Sequence, residues 1–120
     1  MRDYDINLEV KHEQPAVIDF MEEAARHEPW FNQTLTRVND AVVRLGVVEG
    51  EFHWHKHDVE DEFFLVLEGE LIIELEGMDT VRLLPHQGYT VPKGVMHKPS
   101  APTRTSIVMV EPASVSPTGD

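Results

Sequence analysis

The chain has 120 residues, no cysteine, and 22 acidic against 10 basic side chains, a formal charge of −12. That length suits one domain, and a hydrophobic content of 41% is enough for one core. The acidic balance argues against nucleic acid and anionic membrane surfaces as partners, and the missing cysteine excludes disulfides, thiolate metal sites and cysteine nucleophiles.

The acidic N-terminus, Met1 to Asp5, has no apolar leader, and no run approaches the ~20 apolar residues that cross a bilayer. A cytoplasmic protein is expected. Residues 15–26 read as a short helix: Pro15 suits a first helical position, and Val17, Phe20, Met21 and Ala24 fall at helical spacing. The expected organisation is an N-terminal arm over 1–35, a β-domain over 36–112 and a surface coil over 113–120.

From Thr36 the pattern turns to strands. Residues 41–48 are rich in β-branched side chains, 51–57 alternate, and 62–67 and 71–75 flank the turn Glu68-Gly69-Glu70, which predicts a hairpin. Segments at 80–84, 89–91, 95–98 and 105–110 complete about eight short strands, the pattern of an all-β sandwich or barrel. Charge is uneven along them. Residues 51–77 hold nine acidic side chains and one lysine, whereas residues 78–120 hold three acidic and four basic. A negative field around the densest histidines favours a cation.

His53, His55 and His57 occupy alternate positions, so on a strand they share one face. Two imidazoles at i and i+2 reach one ion. A carboxylate from the group Glu60, Asp61 and Glu62 offers a third ligand. Pro92 and Gly94 bend the chain ahead of His97.

In this order the residues read His55-x-His57, four residues, Glu62, six residues, Gly69, and later Pro92-x-Gly94-x-x-His97. This arrangement resembles the two motifs of the cupin superfamily, and the chain is similar to small single-domain cupins of mostly unknown reaction. The resemblance covers roughly residues 35–120. It implies a double-stranded β-helix, or jelly-roll barrel, with His55, His57, Glu62 and His97 as metal ligands; the offset to Gly69 selects Glu62 over Glu60 and Asp61. One departure is His86 where the family usually has glycine.

Three imidazoles and one carboxylate suit one divalent transition metal per chain: iron, manganese, nickel, cobalt, copper or zinc. Two functions follow: a metal-dependent enzyme (dioxygenase, isomerase, cyclase or lyase type) acting on a small oxygen-bearing molecule, or a metal-dependent binding or sensing module without turnover. Phe64, Val66 and Met96 are expected to wall the pocket. His53 and Glu60 are the candidates for moving a proton. Strand parity turns Phe63, Leu65 and Leu67 outward, along with Phe52 and Trp54, away from the histidines. Such an apolar face needs a cover, either the arm or a second subunit, and a two-fold homodimer is expected.

Overall fold

A computed structural model describes residues 3–120. Its eight strands are β1 (Asp5–Asn7), β2 (Phe31–Val38), β3 (Ala41–Glu51), β4 (Glu62–Glu68), β5 (Leu71–Leu75), β6 (Val81–Leu83), β7 (Gly88–Val91) and β8 (His97–Pro112), with one helix, α1 (Phe20–Ala25), after β1. The fold is an all-β jelly roll.

The long strand β8 organises it. Its second half lies between β3 and β4, with Leu45 and Leu65 both facing Val108 and β7 flanking β4. Its first half pairs instead with β5, which carries β6, and with the end of β3 at Gly50 and Glu51. One strand thus joins both sets of partners into a single eight-stranded sheet.

The predicted hairpin between 62–67 and 71–75 does not form. Neither strand pairs with the other; β4 pairs with β7 and β8, and β5 with β6 and β8. Gly69 carries the chain across. It takes φ +92°, and a Cβ there would stand 2.3 Å from Thr105 Oγ1 and 2.8 Å from Thr105 Cα, so only glycine fits this crossing. Thr105 Oγ1 then accepts from Glu70 N.

The arm is more structured, and its helix shorter, than the spacing predicts. Residues 15–19 are not helical; Asp19 is the N-cap, its side chain accepting from Glu22 N. Val17 is bare, whereas Ala24 is buried and Ile18 and Phe20 pack over Phe31, Leu35, Leu45 and Val47. Leu67, expected on the outer face, packs against this same cluster. Strand β2 starts at Phe31 and runs through the expected boundary at residue 35, and β1 adds to it in parallel. Buried Glu23 ties the arm down, accepting from Lys11 at 2.5 Å and lying 3.0 Å from His12 Nε2. Burial opposes the ionised form of Glu23, but its bonds to Lys11 and His12 prevail and lower its pKa.

In β4 the side chains alternate as the pleat requires: Glu62, Phe64 and Val66 are buried, while Phe63, Leu65 and Leu67 are half-buried. The ring of Phe63 lies over Gly88, where a Cβ would meet its Cζ at 2.6 Å. Part of the outer apolar face is therefore covered from within the chain.

The expected surface coil at 113–120 is an anchored strap. Val115 is buried. Buried Arg44 donates to the carbonyl oxygens of Ala113 and Val115. At the far end Asp120 N donates to Lys56 O, and Asp120 Oδ2 accepts from Asp58 N.

Candidate metal centre

The segment after β3 is where strand parity stops. Beyond Glu51 the chain leaves the sheet, and between residues 52 and 61 only His55 forms a bridge, with His97 across from it. Main-chain bonds run both ways between these two, 2.9 Å from His55 N to His97 O and 2.8 Å from His97 N to His55 O. His55 is therefore fixed beside His97, and His57 lies beyond it with Glu62 opening β4.

His55, His57, Glu62 and His97 are all buried, and each offers one ligand atom within 4.8 Å of the others. Donors on one ion at ~2.1 Å stand ~3–4 Å apart, so this spread suits a shared ion after slight contraction. Glu62 Oε1 lies 3.4 Å from His57 Nε2 and 3.6 Å from His97 Nε2. All three of these atoms are buried without a hydrogen-bond partner. Buried polar atoms are normally paired, and three unpaired ones converging on one point fit a cation. The residues expected as ligands are thus brought together; Asp61 is not among them, being exposed and accepting from Lys93 N.

The electrostatics have the same sense. Burial lowers His55 to about 4, and nearby His97 adds to it, which keeps its imidazole neutral, as ligation requires. Burial disfavours the His57 cation, but Glu62 outweighs that and raises its pKa. Burial also opposes ionisation of Glu62, yet His57 and His97 hold it well below the usual carboxylate range. Behind this group sit Arg44 and Glu111, 3.3 Å apart and buried. Burial and the nearby Glu62 push the Glu111 carboxyl up, against the pull of Arg44. Sequence reading missed this pair, although a charged residue inside the apolar run 41–48 was a visible signal.

His55 and Glu62 form part of the wall of a cavity holding ≈ 640 Å³ of empty space, its open mouth included. The rest of the wall is mainly apolar: Val48, Phe64, Leu71, Ile107 and Met109, with Tyr4, Trp30 and Phe52 at one side. Asn32 and Ser100 add polar side chains, as does the Tyr4 phenol, and Asn32 Oδ1 is buried without a partner. Of the three expected wall residues, Phe64 is in place. Val66 packs in the core instead, and Met96 is not part of the wall. Phe52, expected to face away, lines the cavity.

His53 also departs from parity. It is exposed, its Nε2 lies 2.7 Å from Thr118 O, and its ring rests on Phe52. Its main-chain oxygen reaches the site instead, 3.0 Å from His55 Nδ1. Neither His53 nor Glu60 belongs to the cavity wall. His86, the departure from the usual glycine, takes φ 71°, so the turn keeps its left-handed residue without glycine.

The family model described as Cupin domain matches residues 41–111. The chain belongs to the cupin family. This cupin is 41% identical over 80 residues to the uncharacterized protein YdbB of Bacillus subtilis (strain 168), covering 67% of this chain and 71% of that one. It is similar to a cupin-2 domain containing protein from Shewanella frigidimarina, at 37% identity and TM-score 0.76, covering 80% of this chain and 94% of the other. It also shares its fold, at 17% identity and TM-score 0.75, with hydroquinone 1,2-dioxygenase from Sphingomonas sp. TTNP3, covering 88% of this cupin and 36% of that chain. No helix among the described residues is long and apolar enough to cross a membrane.

Proposed function

We propose that this cupin holds one divalent transition metal on His55, His57, Glu62 and His97 and uses it as an enzyme on a small oxygen-bearing molecule. One observation carries the reading: the four-donor cluster opens, through His55 and Glu62, into a mainly apolar cavity. Iron, manganese, nickel, cobalt, copper and zinc all suit this donor set. When bound, such an ion polarises a ligand oxygen or, if redox-active, supports oxygen chemistry.

The chain's own residues do the rest. Phe64, Ile107 and Met109 exclude water and favour an apolar body, while Trp30 and Phe52 offer it aromatic faces. The Asn32 carboxamide can take a second polar group of the same molecule. The ligand class is therefore a flat or compact apolar molecule with an oxygen donor for the metal and a further hydroxyl or carbonyl. His53 and Glu60, outside the wall, are assigned no proton transfer to the ligand.

A cytoplasmic location belongs to the same proposal, supported by the absence of cysteine. So does a two-fold homodimer, supported by Val110 left exposed across from the half-buried Phe63, and by the exposed Trp54 elsewhere on the surface.

The test is to strip the protein of metal, reload it separately with each of the six ions, and measure stoichiometry. Aromatic hydroxy acids, enols and diketones are then screened for loss of substrate with and without air. One ion per chain and turnover abolished by Glu62→Gln support the enzyme. Saturable binding without product under any metal supports the binding or sensing module. Absence of metal binding overturns both.

A further inference from the structure

The three histidines of the cluster are not held alike. His55 Nδ1 lies 3.0 Å from His53 O, and His97 Nδ1 lies 2.9 Å from Val95 O. Each ring thus uses the main-chain oxygen two residues earlier, which leaves Nε2 for an ion. His57 does not follow the pattern. The oxygen two residues before it, His55 O, already accepts from His97 N. His57 Nδ1 is buried without a partner.

A second unpartnered atom lies in the same place. Glu60 is buried, and its Oε1 has no hydrogen-bond partner, while Oε2 accepts from Ser114 Oγ at 2.7 Å. His57, Glu60 and Asp120 each bring a nitrogen or carboxylate oxygen within 4.8 Å of the others. Among the described residues, no lysine or arginine is bonded to Glu60. A buried carboxylate without a cation is costly, and a buried imidazole N–H without an acceptor is costly too. Each group supplies what the other lacks. Ligating histidines commonly donate their second ring N–H to a carboxylate, which fixes the tautomer and aims the ring.

We infer that Glu60 is the positioning residue for His57: its carboxylate accepts the Nδ1–H and presents Nε2 to the ion. The strap holds Glu60 in turn, through Ser114 directly and through Asp120, which fastens the 56–58 loop. The strap thereby becomes part of the metal site without supplying a ligand. This inference rests on the metal reading above but concerns a different residue.

Zinc and nickel affinities, measured by competition with a chelator, test it. Glu60→Ala should weaken both 10- to 100-fold. Glu60→Gln, which keeps an acceptor, should lose less, and Ser114→Ala less again. A merely structural role predicts that metal-free Glu60→Ala melts earlier. Positioning predicts that its metal-free melting temperature is unchanged or higher, because a buried charge has been removed, while the gain on adding zinc shrinks. In the zinc-loaded protein the His57 Nδ1–H nitrogen–proton resonance should be present in wild type and shifted or lost in Glu60→Ala. Wild-type affinity retained in both Glu60 variants overturns the inference and leaves the metal reading intact. Two ions per chain in wild type, with the second lost in Glu60→Gln, overturns it in favour of a separate cation site. No metal bound by wild type overturns both readings.

Discussion

Strand β4 and the segment from Phe52 to Asp61 both contribute to the candidate metal site, yet they are built by different rules. In β4, neighbours on both sides fix the pleat, and every second side chain turns inward, Glu62 with Phe64 and Val66. In 52–61 a single bridge at His55 replaces the ladder, and Phe52 and His53 sit where alternation would not put them. Periodicity governs direction only where a ladder enforces it; elsewhere individual side-chain and strap contacts decide.

The largest expected effect tests whether the irregular segment and the strands meet at one ion. His97→Ala and His57→Ala should each remove most bound metal, by elemental analysis, and abolish the rise in melting temperature that metal gives. His12→Ala, in the arm, should do neither. Equal metal loss in His12→Ala would remove the assignment.

Next comes a pair of phenylalanines. Phe64 lies within the β4 ladder and is 3% exposed, so Phe64→Ala should cost ~3–5 kcal/mol in denaturant unfolding. Phe52 is half-buried in the irregular segment, so Phe52→Ala should cost clearly less and show chiefly as weaker ligand binding. Equal stability losses would break the contrast between the two regions.

A smaller effect concerns pH and the arm. Glu23 has a lowered pKa in the fold, so its contribution is present above the ordinary carboxylate range, near 4.5, and is lost as pH falls through the lower folded value. Wild type should therefore be more stable than Glu23→Gln at neutral pH, and the gap should close as pH falls below 4.5. Melting curves of the two metal-free proteins across that range check it; no gap at neutral pH would mean the arm is held by packing alone.

The smallest effect is expected at an exposed side chain of the irregular segment. Trp54 is 44% exposed, and Trp54→Ser should leave monomer stability within about 0.5 kcal/mol. If the homodimer buries Trp54, the substitution should shift light scattering toward monomer.

Much of the fold was legible because short β-branched runs and turn residues punctuate the chain after Thr36. The four residues of the cluster were legible because their spacing matches a known pair of motifs. Other features depend on contacts far apart in sequence. The separation of β4 from β5 follows from Gly69 against Thr105, thirty-six positions later, and adjacency alone suggests a hairpin. Tyr4 and Trp30 reach the cavity from a region that reads as an arm. The burial of Arg44 is supported by oxygens at residues 113 and 115, which no local pattern reveals. His53 shows the converse case: its position suggested a functional ring, but its main-chain oxygen is what meets His55.

The strap also bears on timing. Gly119, at φ +94°, lies so near His55 that a Cβ on it would stand 2.5 Å from the His55 Cβ. With Asp120 beside His57 as well, the strap covers one side of the four-residue cluster. An ion held there would have to leave past the strap or wait for it to lift, so its exchange would be slower with residues 113–120 docked than with them displaced.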